Sequence, residues 1–171
     1  TSSSNNSNSL SGAVYVYKRT GTTWAQEAYI KTSNNNAEDF LTYYGIALDG
    51  DTLAVGAFGE DSNQTTITNG TTSSTNNSSS DSGAVYVYKR TGTTWAQEAY
   101  IKASNPDEYE QYSTALALNG DTLAVGSYNE DSNQTTITNG TTSSSNNSNV
   151  NSGTVYVYKR TGTTWAQEAY I

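Results

Sequence analysis

The twenty-residue string SGAVYVYKRTGTTWAQEAYI begins at Ser11, returns unaltered at Ser82, and returns again at Ser152 with one change, alanine to Thr154. The periods are 71 and 70 residues, and the text between the copies repeats as well. Thr52-Leu53-Ala54-Val55-Gly56 recurs as Thr122-Leu123-Ala124-Val125-Gly126, and the stretch from Asp61 to Gly70 recurs from Asp131 to Gly140. A period this long argues for one supersecondary unit per repeat, with neighbouring units burying what one unit cannot.

Within one repeat, Ala13-Val14-Tyr15-Val16-Tyr17 is dense in β-branched and aromatic residues. Alternation puts Val14 and Val16 on one face and Ala13, Tyr15 and Tyr17 on the other, which predicts a strand apolar on both sides. Arg19-Thr20-Gly21-Thr22 supplies a turn whose glycine is free to take positive φ. A second strand, Trp24 to Ile30, follows, with Trp24, Ala28 and Ile30 expected on one face. A further hairpin is predicted from Ile46-Ala47-Leu48, Asp49-Gly50-Asp51 and Thr52-Leu53-Ala54-Val55, with Asn119-Gly120 standing for Asp49-Gly50 one repeat later. The expected fold class is all-β, built from repeated four-stranded antiparallel sheet units, and no window shows helical periodicity of useful length.

The chain has no cysteine and no histidine. That removes disulfides, thiol nucleophiles, Cys-ligated zinc, and the commonest metal ligand and general base. A net charge of −8 with only eight basic residues argues against nucleic acid, because no surface could neutralise many phosphates. No apolar run approaches the roughly 20 residues that a membrane-crossing helix needs. An acidic, Asn/Thr/Ser/Tyr-rich text suits a solvated extracellular or cell-surface location. Carboxylate neighbours such as Glu38/Asp39 and Asp107/Glu108 are no evidence of the spacing that acid–base hydrolysis requires, so an enzyme is not expected.

The polar connectors 60–81 and 130–151 read either as solvated surface loops or as binding loops, with Ile67 and Ile137 as their apolar anchors. Glu60-Asp61-x-Asn63 and Glu130-Asp131-x-Asn133 gather oxygen ligands of the kind Ca²⁺ takes; a solvated acidic turn is the other reading of the same residues. Asn-x-Ser/Thr sequons stand at Asn5, Asn63, Asn69, Asn76, Asn77, Asn133, Asn139 and Asn146, and each is a candidate glycan attachment point.

The strand order through Ile46-Ala47-Leu48-Asp49-Gly50-Asp51-Thr52-Leu53-Ala54-Val55-Gly56, then Gly83-Ala84-Val85-Tyr86-Val87-Tyr88-Lys89-Arg90, then Thr94 to Lys102, resembles the FG-GAP repeats of integrin α-chain-like β-propellers, especially their bacterial surface-protein versions. The resemblance implies radially packed four-stranded blades. Residues 40–102 and 110–171 correspond to complete blades, and 1–31 to a half repeat carrying the outer two strands. Where the family has Phe-Gly, this chain has Thr42-Tyr43 and Tyr112-Ser113, and the family's Asp-x-Asp/Asn-x-Asp-Gly calcium loop does not occur. The resemblance therefore implies the fold and leaves Ca²⁺ to the Glu60 and Glu130 clusters.

Thr1 to Ser9 matches Thr72 to Ser80, so the text opens mid-repeat and reads as a segment of a longer chain. Two and a half blades cannot close a ring of four to eight, so apolar faces need cover from further repeats of the same chain or from identical chains. The expected function is that of an extracellular structural or adhesive protein acting through repetition and self-association, as a surface array, appendage or filament. The alternative is a propeller module that binds glycan, a surface protein or Ca²⁺.

Overall fold

The computed structural model describes residues 7–171; Thr1 to Asn6, and with them the Asn5 sequon, lie outside the described residues. The first unit is a hairpin of β1 (Val14–Thr20) and β2 (Thr23–Ile30). The second comprises β3 (Ile46–Asp49), β4 (Thr52–Ala57), β5 (Thr68–Asn69), β6 (Ala84–Thr91) and β7 (Thr94–Ile101), in the sheet order β3-β4-β6-β7-β5. The third repeats it with β8 (Ala115–Asn119), β9 (Thr122–Ser127), β10 (Thr138–Asn139), β11 (Thr154–Thr161) and β12 (Thr164–Tyr170), in the order β8-β9-β11-β12-β10. All pairings between these strands are antiparallel.

The predicted hairpins form where the turn chemistry places them. Thr20 pairs with Thr23, leaving Gly21-Thr22 as a two-residue loop with Gly21 at φ 62°. Only glycine takes that angle without strain, and Gly92 and Gly162 repeat it.

Two expectations need correction. The connector 60–81 is not simply a solvated loop: its Thr68–Asn69 segment pairs with Tyr100 and Ala99 as a fifth strand, and 130–151 does the same with Tyr170 and Ala169. Ile67 packs partly buried against the core, as an anchor would, whereas Ile137 is exposed. The second correction concerns the face on which tryptophan lies. In each outer hairpin the register shifts after Val16, Val87 or Val157, so that Glu27, Glu98 or Glu168 is an unpaired bulge residue. One extra residue reverses the alternation. Tryptophan therefore shares the tyrosine face, while Ala28/Ile30 and their equivalents share the valine face.

That two-faced pattern builds the core between sheets. Tyr86, Tyr88, Tyr100 and Trp95 of the second unit pack on Val14, Val16, Ala28 and Ile30 of the first. Tyr112, Tyr156, Tyr158, Tyr170 and Trp165 of the third pack on Val85, Val87, Ala99 and Ile101 of the second. Burial of a residue thus depends on whether a preceding unit exists. Equivalent tryptophans run from 64% exposed at Trp24, through half-buried Trp95, to 1% at Trp165. Trp165→Ala is expected to cost about 3–5 kcal/mol. Trp24→Ala should cost less than about 1 kcal/mol. Urea unfolding followed at submicromolar protein compares the two directly.

Candidate functional site

The units meet through a clasp repeated at both junctions. The β2 bulge turns the Glu27 carboxylate toward the second unit, where Trp95 Nε1 donates to Glu27 Oε2 at 3.0 Å and Arg90 Nη1 approaches at 3.2 Å. Arg90 and Trp95 are cross-strand neighbours, and the guanidinium lies 5.7 Å from the ring centroid, so it holds the indole as well as the carboxylate. Asp51 in the β3–β4 turn accepts from Arg90 Nε at 2.8 Å and orients it. First the indole N–H and then Arg90 hold the Glu27 carboxyl below its ordinary range, against the opposing effect of burial.

The next junction is the same in kind. Trp165 Nε1 donates to Glu98 Oε2 at 3.0 Å, Arg160 Nη1 lies 3.3 Å away, and Asp121 accepts from Arg160 Nε at 2.7 Å. Here Asn69, from the short fifth strand of the second unit, adds a pair of bonds: its Oδ1 accepts from Trp165 N at 2.8 Å and its Nδ2 donates to Trp165 O at 3.3 Å. Gly83 completes the fit, because at φ 81° a Cβ there would stand 2.2 Å from Tyr112 O. Gly12 meets Leu41 in the same way.

At each junction a buried polar hub lies at the end of the strands opposite the clasp. Glu60 is fully buried; it accepts from Lys102 Nζ at 2.9 Å, Asn34 Nδ2 at 3.1 Å and Ser62 N at 3.1 Å. Asn34 comes from the linker after the first unit, and its Oδ1 accepts from the Tyr86 hydroxyl, so one amide ties two units together. Burial pulls the Lys102 ammonium below its ordinary value and Glu60 opposes that pull. Removing either partner alone would strand a buried charge. Asn105, Glu130 and Tyr156 repeat the linkage one unit later: Asn105 Nδ2 donates to Glu130 at 3.3 Å and Tyr156 donates to Asn105 at 2.6 Å.

This is where the sequence-proposed cation ligands go. Glu60 is bound to an ammonium and Asp61 Oδ1 accepts from Asp81 N at 2.8 Å, while Asn63 is exposed. Glu130 takes the Tyr170 hydroxyl at 2.7 Å, Asp131 takes Asn151 N at 2.6 Å, and Asn133 is exposed. Among the described residues no three Asp, Glu, His or Cys side chains gather as a metal site. A carboxylate that already holds Lys102, Asn34 and a backbone N–H does not fit a Ca²⁺ ligand set, and the solvated acidic turn is equally displaced, because Glu60 and Glu130 are buried. Of the sequons, Asn63, Asn69, Asn76, Asn77, Asn133, Asn139 and Asn146 are exposed, and the Asn69 amide is in addition committed to the backbone of Trp165.

The clasp residues form neither a ligand cluster nor a catalytic pair in the sequence, because Glu27 lies 63 and 68 residues from Arg90 and Trp95. The available signal was that Arg, Trp and Glu recur unaltered in all three copies of the outer hairpin.

Residues 95–158 match the family model of the FG-GAP repeat. Over that span the chain is similar to an FG-GAP repeat. The matched span begins at the clasp tryptophan of β7 and ends in β11, so it reaches across a junction between two sheets. FG-GAP repeats typically occur in extracellular or cell-surface proteins, as modules of β-propeller type. No curated protein matches the chain.

Two buried acids make the junctions sensitive to pH. Burial pushes Asp39 up to about 7, against the Asn36 N–H that it accepts at 2.8 Å. Burial likewise pushes its counterpart Glu110 up to about 8. Both folded values exceed the unfolded ones, so the stability they contribute is full below about pH 4 and lost as pH rises through 7 to 8. The lowered carboxylates Glu27, Asp51 and Asp121 are ionised in both states above pH 5 and leave that window flat. Thermal unfolding is therefore expected at a higher Tm at pH 5 than at pH 8.5, and Asp39→Asn with Glu110→Gln should flatten the difference.

Proposed function

We propose that this chain is a non-catalytic structural or adhesive module of a cell-surface protein, with its sheets as β-propeller-type blades, acting through repetition and self-association. The observation that supports this reading is that one junction is built twice from the same residues. Cassettes that pack identically are what a building block requires, whereas a catalytic site needs one asymmetric constellation. The outer units leave open faces of opposite kind, aromatic at Tyr15, Tyr17 and Trp24 and aliphatic at Val155 and Ile171. Contact between such faces is heterologous and leads to a ring or an open filament. Sedimentation velocity across micromolar concentrations is expected to show concentration-dependent association. A non-associating monomer throughout that range would remove the structural reading.

The binding-module alternative is favoured by one departure from the repeat. Phe40, Tyr43, Tyr44 and Phe58 form a cluster at the edge of the second unit, with Phe40 and Phe58 stacked at 5.0 Å and Tyr44 5.2 Å from Phe58. In the third unit the positions of Phe40 and Phe58 are taken by Gln111 and Tyr128, joined by a hydrogen bond. Tyr43 and Tyr44 are largely exposed, and aromatic faces of this kind stack on sugars and on protein side chains. On this reading the chain binds a surface oligosaccharide in an immobilised panel, and the double variant Tyr43→Ala/Tyr44→Ala loses that binding without change in its sedimentation.

A further inference from the structure

We infer that Lys102 and Asn34 join spontaneously through a side-chain amide bond, with Glu60 moving the protons and Tyr86 holding the carbonyl oxygen. Four side chains meet in the hub of the first junction, and each has a part that this acyl transfer needs. Lys102 is the nucleophile: its Nζ lies 2.9 Å from Glu60 Oε2 and 2.8 Å from Ser82 Oγ, and its side chain has no exposed surface. Asn34 is the acyl donor. Its buried amide gives one Nδ2 hydrogen to Glu60 Oε1 at 3.1 Å and the other to Ser74 O at 2.8 Å. One carboxylate therefore touches the attacking nitrogen with one oxygen and the leaving nitrogen with the other. The Tyr86 hydroxyl donates to Asn34 Oδ1, the atom on which negative charge collects during attack.

The surroundings favour the free amine that attack requires. Burial already draws the Lys102 ammonium below its ordinary value, with Glu60 opposing. Transfer of one proton from Nζ to Glu60 leaves two neutral groups, which a site closed to water accommodates more easily than two ions. The lone pair of Nζ then forms the bond to Asn34 Cγ, and the carbonyl electrons move to Oδ1 under the Tyr86 hydroxyl. Glu60 gives its proton to Nδ2 and takes one from Nζ. The Cγ–Nδ2 bond breaks, the carbonyl re-forms, and ammonia leaves, carrying the last proton from Glu60 as ammonium. No oxidant or further reactant is consumed, and Glu60 and Tyr86 are both fully buried, so water does not compete for the acyl carbon. The product joins the linker that follows the first unit to the residue that follows β7, so the covalent ring encloses the whole second sheet. In a chain without cysteine such a cross-link constrains the unfolded state as a disulfide would.

Intact-mass measurement on the purified, denatured chain reads the bond directly. The wild type is expected to be lighter than its sequence by one ammonia, and a protease digest should yield a branched peptide that holds both Asn34 and Lys102. Lys102→Arg keeps the charge, removes the nucleophile, and should return the full sequence mass. Cyclisation at an Asn-Gly pair such as Asn69-Gly70 also releases ammonia, but it persists in Lys102→Arg and gives no branched peptide. Glu60→Gln is expected to hold the full mass as well. A wild-type chain at its full sequence mass, or an ammonia loss that survives Lys102→Arg, would overturn the bond and leave Lys102 and Glu60 as a buried ion pair. The wild-type mass decides this whether or not a variant folds. A branched peptide recovered from Glu60→Gln would overturn the part given to Glu60.

Discussion

Every sheet in this chain has two apolar faces, one of tyrosine and tryptophan and one of valine, alanine and isoleucine, and no sheet covers either face by itself. A strand such as β6 must therefore find an aliphatic neighbour on one side and an aromatic neighbour on the other. Large rings over small β-branched residues interdigitate, whereas two aromatic faces or two valine faces would leave gaps. Direction along the stack follows from this complementarity, and so does the rise in burial from Trp24 to Trp165.

Apolar packing alone would leave the relative rotation of the sheets loosely fixed. The polar groups at the junction remove that freedom. The bulge sends one glutamate across the interface; the indole N–H and guanidinium that meet it are held together by a cross-strand pair and anchored by an aspartate in the neighbouring turn. Inside, Asn34 and Asn105 thread from one unit into the carboxylate hub of the next. A network in which each member satisfies another tolerates few alternative geometries, because misplacement leaves a buried charge or amide unpaired. The glycines at 12 and 83 permit backbone contact that any side chain would prevent.

Much of the fold was legible in the text. Val-Tyr-Val-Tyr alternation, Gly21-Thr22 and Gly50-Asp51 specify strands and two-residue turns through local sterics, and these formed at the expected places. The fifth strand was not legible, because Thr68-Asn69 has no hydrophobic pattern and gains its place only from the free edge of β7. The face of Trp24 was misassigned for a related reason: strict alternation assumes an unbroken ladder, and a bulge is a property of two paired strands. Glu60 read as a ligand beside Asp61, yet its partners Asn34 and Lys102 are distant in sequence, and only the closed structure brings them to one carboxylate.

The sequence by itself determined the period, the strand and turn chemistry, the two-faced character of each sheet, and the exclusion of thiol and imidazole chemistry, since all of these depend on residue type and local spacing. Tertiary structure decided which face meets which, the fifth strand, the fate of the buried acids, and the pairing of Arg, Trp and Glu across the junction. Those outcomes depend on distances between residues remote in the chain, and such distances are set only when one sheet lies against the next.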